Sequence, residues 1–345
     1  MWTTQPAFAK GSRKLPEKKY QVSELHKFLF EDLPVRGVIV RLTDAWVEIL
    51  KRRAASSTGA YPEPVQNLLG EMVTAGALMQ SNIKFNGSLI LQIFGDGPLK
   101  LSVVEVKSDL SLRATATVRG EVMSDAGLPA MINAQGLGRC AITLDPHNPM
   151  PGQQPYQGVV PLSNAHEQPL ECLSDVLQNY MRLSEQLETT LVLAANDQVA
   201  AGLLIQRLPL EGKGNLAGQD THSAEELNEH YNRIAVLVSS LKREELLTLD
   251  VETILRRLFW EEKLQRFEPL VGDAAPRFAC TCSHERVSRM IQKLGEPEAK
   301  DIIAELGAIS VDCEFCGAQY RFDAIDAAQI FKPLEEQPPS SEAVQ

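Results

Sequence analysis

The sequence predicts an α+β protein of three parts: an N-terminal core of mixed sheet and helix, a helical middle linker, and a small C-terminal domain organised by cysteines. Three observations lead there. Strand-length apolar runs joined by turn residues are interspersed with helical patterns, without the regular βαβ repeat of a doubly wound sheet. The stretch 221–270 is helical in period and dense in charge, with ten acidic and seven basic side chains. Four of the six cysteines then fall in the C-terminal part of the chain as two close pairs. At 345 residues, 44% hydrophobic and 23% charged, the chain has the composition of a folded globular protein with room for two or three domains.

Residues 1–19 carry Lys10, Arg13, Lys14, Lys18 and Lys19 against Glu17 alone. No apolar run follows, so they read as a basic, solvated, disordered extension. An organelle transit peptide is the alternative, and a secretory signal is disfavoured. Residues 20–210 form the expected α+β core. The runs 88–94 and 99–106 flank Gly95-Asp96-Gly97-Pro98 and read as a hairpin. Val65, Leu68, Leu69, Met72, Gly76 and Met79 recur at helical spacing and mark a buried helix packed against a sheet. The runs 190–195 and 199–208, on either side of Asn196-Asp197, give a second hairpin. Cys140 and Cys172 stand alone, and each is expected to be a small buried apolar residue.

Residues 211–275 are expected to be a connection followed by a metastable helical linker. Gly, Lys, Asn and Gln between Glu211 and Asp220 break any periodic pattern. Ser223 and Glu226 form a capping box, and Leu227, Tyr231, Ile234, Val238 and Leu241 make a narrow apolar stripe. A second helix starts near Asp250 and carries Val251, Ile254, Leu255, Leu258 and Phe259. Isolated helices of this length are marginal in water, so both need a partner surface. At the far end, residues 333–345 form a polar tail expected to be disordered.

Residues 276–332 carry the chemistry. Cys280-Thr281-Cys282 and Cys313-Glu314-Phe315-Cys316 are separated by thirty residues. In an extended segment residues i and i+2 point to one side, so Cys280 and Cys282 can face one ion. Cys313-x-x-Cys316 followed by Gly317 resembles a zinc knuckle, in which a left-handed Gly lets backbone N–H groups point at the thiolates. Four thiolates without a water position describe a closed, structural Zn²⁺ site, one ion per chain. The spacer exceeds the roughly 15 to 20 residues of zinc ribbons and must fold by itself. Val287, Met290, Ile291 and Leu294 define one helix ending at Gly295; Ile302, Ile303 and Leu306 define a second stopping at Gly307. His284, beside the first pair, is expected to be a solvated residue at a helix start, because four thiolates already complete the tetrahedron.

Several function classes are disfavoured. A net charge of −11 is the wrong sign for general phosphate-backbone binding. No run of 18 apolar residues is present to span a bilayer. Few cysteines and no secretory signal point to the reducing cytoplasm. A thioredoxin-like reading of Cys313-x-x-Cys316 is opposed by Gly317 and the strand-like 319–322, and a zinc deaminase needs a His-x-Glu that is missing. Gly95-x-Gly97 lacks the third Gly of a phosphate cradle. No nucleophile or acid/base pair stands out, so no catalytic residue is assigned and a non-enzyme is expected. A zinc-ribbon-type interaction or nucleic-acid-binding module is the alternative reading, with a zinc enzyme third.

The Cys-x-Cys pair, the helical spacer and the Cys-x-x-Cys-Gly end together resemble the redox-regulated heat-shock chaperones, the 33 kDa heat-shock protein family. His26-Lys-Phe-Leu-Phe-Glu31, Val35-Arg-Gly37, Tyr61-Pro62, Leu91-Gln92 through Pro98, Tyr156-Gln-Gly-Val-Val160, Tyr180-Met-Arg-Leu-Ser-Glu-Gln186 and Glu244-Glu-Leu-Leu-Thr-Leu249 look like the same pattern. The resemblance spans roughly 20–330; the basic extension and a longer stretch near 145–154 depart from it. It implies a cytosolic, ATP-independent holdase, inactive when reduced and zinc-bound, and active, commonly as a homodimer, when oxidised. It implies that Cys280, Cys282, Cys313 and Cys316 bind the zinc, and that oxidation forms Cys280–Cys282 and Cys313–Cys316 disulfides. Losing the ion removes folding energy from the small domain. The linker can then expose Leu227, Tyr231, Ile234, Val238, Leu241, Ile254, Leu255 and Leu258 to the apolar surface of an unfolding client.

Overall fold

β1 (Glu24–Phe30) and β2 (Val35–Leu42) open the chain as a hairpin, followed by α1 (Asp44–Ala55) and α2 (Glu63–Asn82). Next come β3 (Gly87–Phe94), β4 (Leu99–Lys107), β5 (Ser111–Val118), the short α3 (Leu128–Ile132), β6 (Arg139–Pro146) and β7 (Tyr156–Pro161). α4 (Leu173–Ser184), β8 (Thr189–Ala195) and β9 (Ala200–Arg207) complete this part. The middle contributes α5 (Ala224–Ser239), α6 (Arg243–Thr248), α7 (Val251–Leu258) and β10 (Leu264–Arg266). β11 (Arg277–Phe278), α8 (His284–Leu294), α9 (Glu296–Leu306), β12 (Ile309–Asp312), β13 (Gln319–Phe322) and α10 (Ala324–Ile330) close it. The structure, a computed structural model, describes residues 22–209 and 224–332. The basic extension, the connection at 211–220, Ser223 of the expected capping box and the polar tail lie outside the described residues.

The strands make a five-stranded sheet in the order β10-β1-β2-β9-β8, a six-stranded sheet in the order β11-β5-β4-β3-β6-β7, and the small β12-β13 ribbon. Both expected hairpins form, β3 with β4 and β8 with β9. The mixed, largely antiparallel sheets with helices packed on them are α+β, as the patterning predicts. α2 is buried nearly all round, from Val65 to Gln80. It lies between the inner faces of the two large sheets, and one cluster joins its Leu69, Met72 and Leu78 to Val40 and Leu204 on one side and Leu91 and Val104 on the other. A helix apolar on every side belongs in such an interior. Gly76 permits the closeness, because a Cβ there would meet Val106 Cγ2 at 2.9 Å.

The second face of the five-stranded sheet is apolar too, with Phe28, Phe30, Val35, Ile39, Leu203 and Ile205. α5 and α7 cover it: Tyr231, Ile234, Val238, Leu241, Ile254, Leu255 and Leu258 are buried in the same cluster, and Leu227 is buried as well. Asp250 caps α7 by accepting from the Thr253 N–H at 2.8 Å. Between the two expected helices the chain adds α6, which Arg41 of β2 holds. Its Nη1 donates to the carbonyls of Leu246 (3.0 Å) and Leu249 (3.1 Å), and its Nη2 to Leu247 (2.7 Å). Arg243, at the other end of α6, donates to the Ala195 carbonyl and faces Glu71 of α2 at 3.5 Å.

One expectation needs correction. Cys140 is buried, and desolvation pushes its thiol up to about 12. Cys172, in contrast, is exposed and occupies the N-cap position of α4, so it is not a small buried apolar residue. Desolvation and Asp175 raise its thiol to about 11, so neither cysteine has the lowered pKa of a reactive thiolate.

Candidate metal centre

The chain leaves β10 at one edge of the five-stranded sheet and enters β11 at one edge of the six-stranded sheet. β11 runs parallel to β5, with Arg277 opposite Ser111 and Phe278 opposite Leu112. The Phe278 ring lies under the Arg52 guanidinium of α1, 4.7 Å from its carbon. Cys280 and Cys282 follow at once in extended chain. Ser283 then caps α8, its Oγ accepting from the Arg286 N–H at 3.2 Å, so helix starts directly after the first pair. α8 ends at Gly295, and α9 ends at Gly307, whose φ of 79° is the left-handed C-cap that Gly favours. β12 and β13 pair from Ile309↔Phe322 to Asp312↔Gln319, and the turn between them presents Cys313 and Cys316. The spacer thus folds as the helical pair that its periodicity predicts, and returns the second cysteine pair to the first.

All four sulfurs lie within 4.8 Å of one another. Contacts join the two pairs: Cys280 Sγ to Cys313 Sγ is 3.7 Å, and Cys282 Sγ to Cys316 Sγ is 3.2 Å. A tetrahedral ion with Zn–S bonds of about 2.3 Å has sulfur–sulfur edges of about 3.8 Å, so the cluster is of a size to hold one. The donor set is all sulfur, which suits a borderline-soft ion such as zinc better than magnesium or calcium. Among the described residues no other group of His, Cys, Asp or Glu is so gathered.

The backbone N–H groups of Cys282, Phe315, Cys316 and Ala318 face the sulfurs, as in a knuckle. Gly317 adopts a φ of 72°, and the Gly317 N–H donates to the Cys313 carbonyl at 2.8 Å. Burial opposes charge at Cys280, but the Cys282 N–H, the neighbouring thiols and Arg113 outweigh it and bring this thiol down to about 7. Burial holds Cys313 up, helped by the charge of Cys280 and opposed by the N–H groups of Cys316 and Phe315. Cys316 is also raised, chiefly by burial. Four clustered sulfurs cannot all ionise cheaply without a cation, so the cluster favours a divalent ion that removes their repulsion.

Two polar neighbours were not foreseen in the sequence. Tyr320 of β13 donates its hydroxyl to Cys282 Sγ at 3.2 Å, which together with burial raises its own pKa. Arg113 of β5 approaches Cys280 Sγ at 3.9 Å. A Tyr four residues after a Cys-x-x-Cys carries no metal signature, and Arg113 is far away in sequence. His284 is exposed at the first position of α8, its ring 4.5 Å from that of Phe322, and is not among the clustered ligands.

Comparison with known proteins agrees with this architecture. The Hsp33 protein family model matches residues 23–323. The 33 kDa chaperonin of Chromobacterium violaceum is 42% identical over 308 residues, covering 89% of this chain and 93% of that protein. The 33 kDa chaperonin of Methylobacillus flagellatus is 39% identical over 313 residues, 90% of this chain and 95% of that one. The crystal structure of the 33 kDa chaperonin from Thermotoga maritima shares the fold, with a TM-score of 0.66 at 19% identity over 89% of this chain and 97% of that chain. The chain therefore belongs to the Hsp33 family, a family of chaperones.

Proposed function

We propose that the protein is a redox-regulated, ATP-independent holdase that captures unfolding proteins after its cysteine cluster is oxidised. The observation that carries the reading is the gathering of four sulfurs within 4.8 Å, in a chain of a chaperone family. In the reduced form Cys280, Cys282, Cys313 and Cys316 hold one Zn²⁺ per chain. A bound zinc ion would keep all four as thiolates, the form that oxidants attack. Cys280 then pairs with Cys282 and Cys313 with Cys316; each pair of thiols reduces one peroxide to two waters as the disulfide forms.

Disulfide sulfurs no longer serve as ligands, and what remains of the small domain is slight. Its buried apolar cluster is Val287, Ile291, Ala299, Ile309, Phe322 and Ile330. A structural zinc site contributes on the order of 10 to 16 kcal/mol of apparent folding energy, comparable to or larger than a whole domain's stability of about 5 to 15 kcal/mol. Residues 276–332 therefore unfold, β11 comes away from β5, and the chain that follows β10 slackens. The linker helices then come off the sheet. Leu227, Tyr231, Ile234, Val238, Leu241, Ile254, Leu255 and Leu258 become available to clients, with the oxidised protein a homodimer. The reading assigns no catalytic residue, nucleotide, nucleic-acid or membrane partner, and it sets the protein in the cytoplasm. Among the described residues no helix is long and apolar enough to cross a membrane.

Zinc content and free thiols, counted before and after peroxide, test the switch. The expected change is from one zinc and six thiols to no zinc and two thiols. Light scattering of an unfolding client without nucleotide should fall only with the oxidised protein. A reduced protein without zinc, or one that suppresses scattering equally in both states, would sink the proposal.

A further inference from the structure

The cysteine region joins the core along β11, which adds to the edge of the six-stranded sheet. The Arg277 N–H donates to the Leu110 carbonyl at 3.2 Å and the Ala279 N–H to the Leu112 carbonyl at 3.0 Å. Ala279 immediately precedes Cys280, and Arg113 immediately follows Leu112, so this ladder delivers the first cysteine beside Arg113. Three partners meet at that guanidinium. It pairs with Glu105, its cross-strand neighbour on β4. Its Nη1 approaches Cys280 Sγ at 3.9 Å. Its carbon lies 4.2 Å from the centroid of the Phe315 ring, and Phe315 stands between Cys313 and Cys316.

One core side chain therefore touches both cysteine pairs, the first through a sulfur and the second through the ring held between its cysteines. The Arg113 and Glu105 side chains are only 19% and 14% exposed, so these attractions are less screened than at the surface. Glu105 is held in turn by Ser88, whose Oγ donates to Oε1 at 3.0 Å. The core's own side chains thus hold the guanidinium. A planar fork can pair at its edge and stack by its face at once, which an ammonium cannot reproduce.

We propose that Arg113 is a positioning residue that clasps both cysteine pairs to the core sheet, so that the core governs how readily the metal centre opens. The proposal rests on the metal-binding reading above. It places part of the oxidation threshold in β4 and β5, outside residues 276–332.

The test uses the full chain. Zinc release under a fixed peroxide excess is followed with a chromogenic chelator, and amide exchange at Ala279 is followed in the reduced protein. R113M and F315L, which remove the clasp from opposite sides, should each release zinc on the order of tenfold faster than wild type and speed Ala279 exchange by a similar factor. R113M/E105Q controls for the carboxylate left unpaired and should behave like R113M. The double variant R113M/F315L should behave like R113M, because F315L removes only the ring contact, which R113M has already removed. R113K, which keeps a cation near the ring but loses the fork that pairs and stacks at once, should fall between wild type and R113M in both readouts; a merely structural role would not be partly rescued by charge. Wild-type release and exchange in both R113M and F315L would overturn the clasp while leaving the chaperone reading intact. If the wild type proved to hold no zinc, the metal reading would fall, and unchanged Ala279 exchange in R113M would overturn the clasp independently.

Discussion

On the outer face of the five-stranded sheet, eighteen buried apolar residues join sheet and linker helices, whereas six gather around the helices and ribbon of the cysteine region. The first surface is held by burial, which is roughly additive in apolar area and indifferent to redox state. The second has a thin apolar core, as small domains generally do, and under the proposed function it leans on a metal held by its four clustered sulfurs. The contrast shows where a switch can be placed. On the proposed reading, oxidation acts on the part with the thinnest apolar core, and the larger apolar interface beside it converts that local loss into exposed surface.

The largest expected effect comes from removing half the ligands. C313S/C316S should purify without zinc, with residues 276–332 unfolded, and should suppress client aggregation without added oxidant. A zinc-free double variant that is silent while reduced would separate metal loss from linker release. Next is the linker face itself. I234D puts a carboxylate where Ile234 is completely buried against the sheet, at a cost of several kcal/mol to docking. That variant should be active while still reduced and zinc-loaded; if it behaves as wild type in both states, linker docking is not the latch.

A smaller effect is expected from R41M, which leaves the Leu246, Leu247 and Leu249 carbonyls without this donor. Losing one such set of bonds should weaken docking by about 1 to 3 kcal/mol, and faster amide exchange confined to α6 and its neighbours checks it. The smallest and most conditional effect is one of pH. Burial lifts Glu71 from 4.5 to about 7 against the pull of Arg243. With the folded pKa above the unfolded one, its stabilising contribution is complete below about pH 4.5 and is lost as pH rises through 7. E71Q should therefore unfold at higher denaturant than wild type at pH 8 and at similar denaturant near pH 4.5, the difference staying below about 3 kcal/mol. Parallel pH profiles for the two proteins would contradict this.

Legibility in the sequence followed the range of the interaction. Helices set by their own periodicity and caps, α2, α5, α7, α8 and α9, could be placed from the residues, and so could the β3–β4 and β8–β9 hairpins with their turn signals. The sulfur cluster was legible because metal-ligand spacing is a local signature. β10 and β11 were not, because Leu-Gln-Arg and Arg-Phe become strands only by adding to the edges of sheets formed elsewhere. α6 escaped for a similar reason: six residues make a poor helix alone, and Arg41, some two hundred residues away, supplies the partners for the carbonyls at its end. Cys172 was misjudged because a lone cysteine carries no signal of its exposure. The approach of Arg113 to Cys280 depends on the register between β11 and β5, which no local pattern encodes.

Hydrogen exchange on the reduced and peroxide-oxidised protein tests the central claim most directly, read separately over α2 and the core strands, over α5 to α7, and over 276–332. The account predicts protection in all three regions when reduced. On oxidation protection should be lost throughout 276–332, reduced over α5 to α7, and kept in α2 and in β2 to β4. Equal protection of the cysteine region and the linker in both states would contradict it.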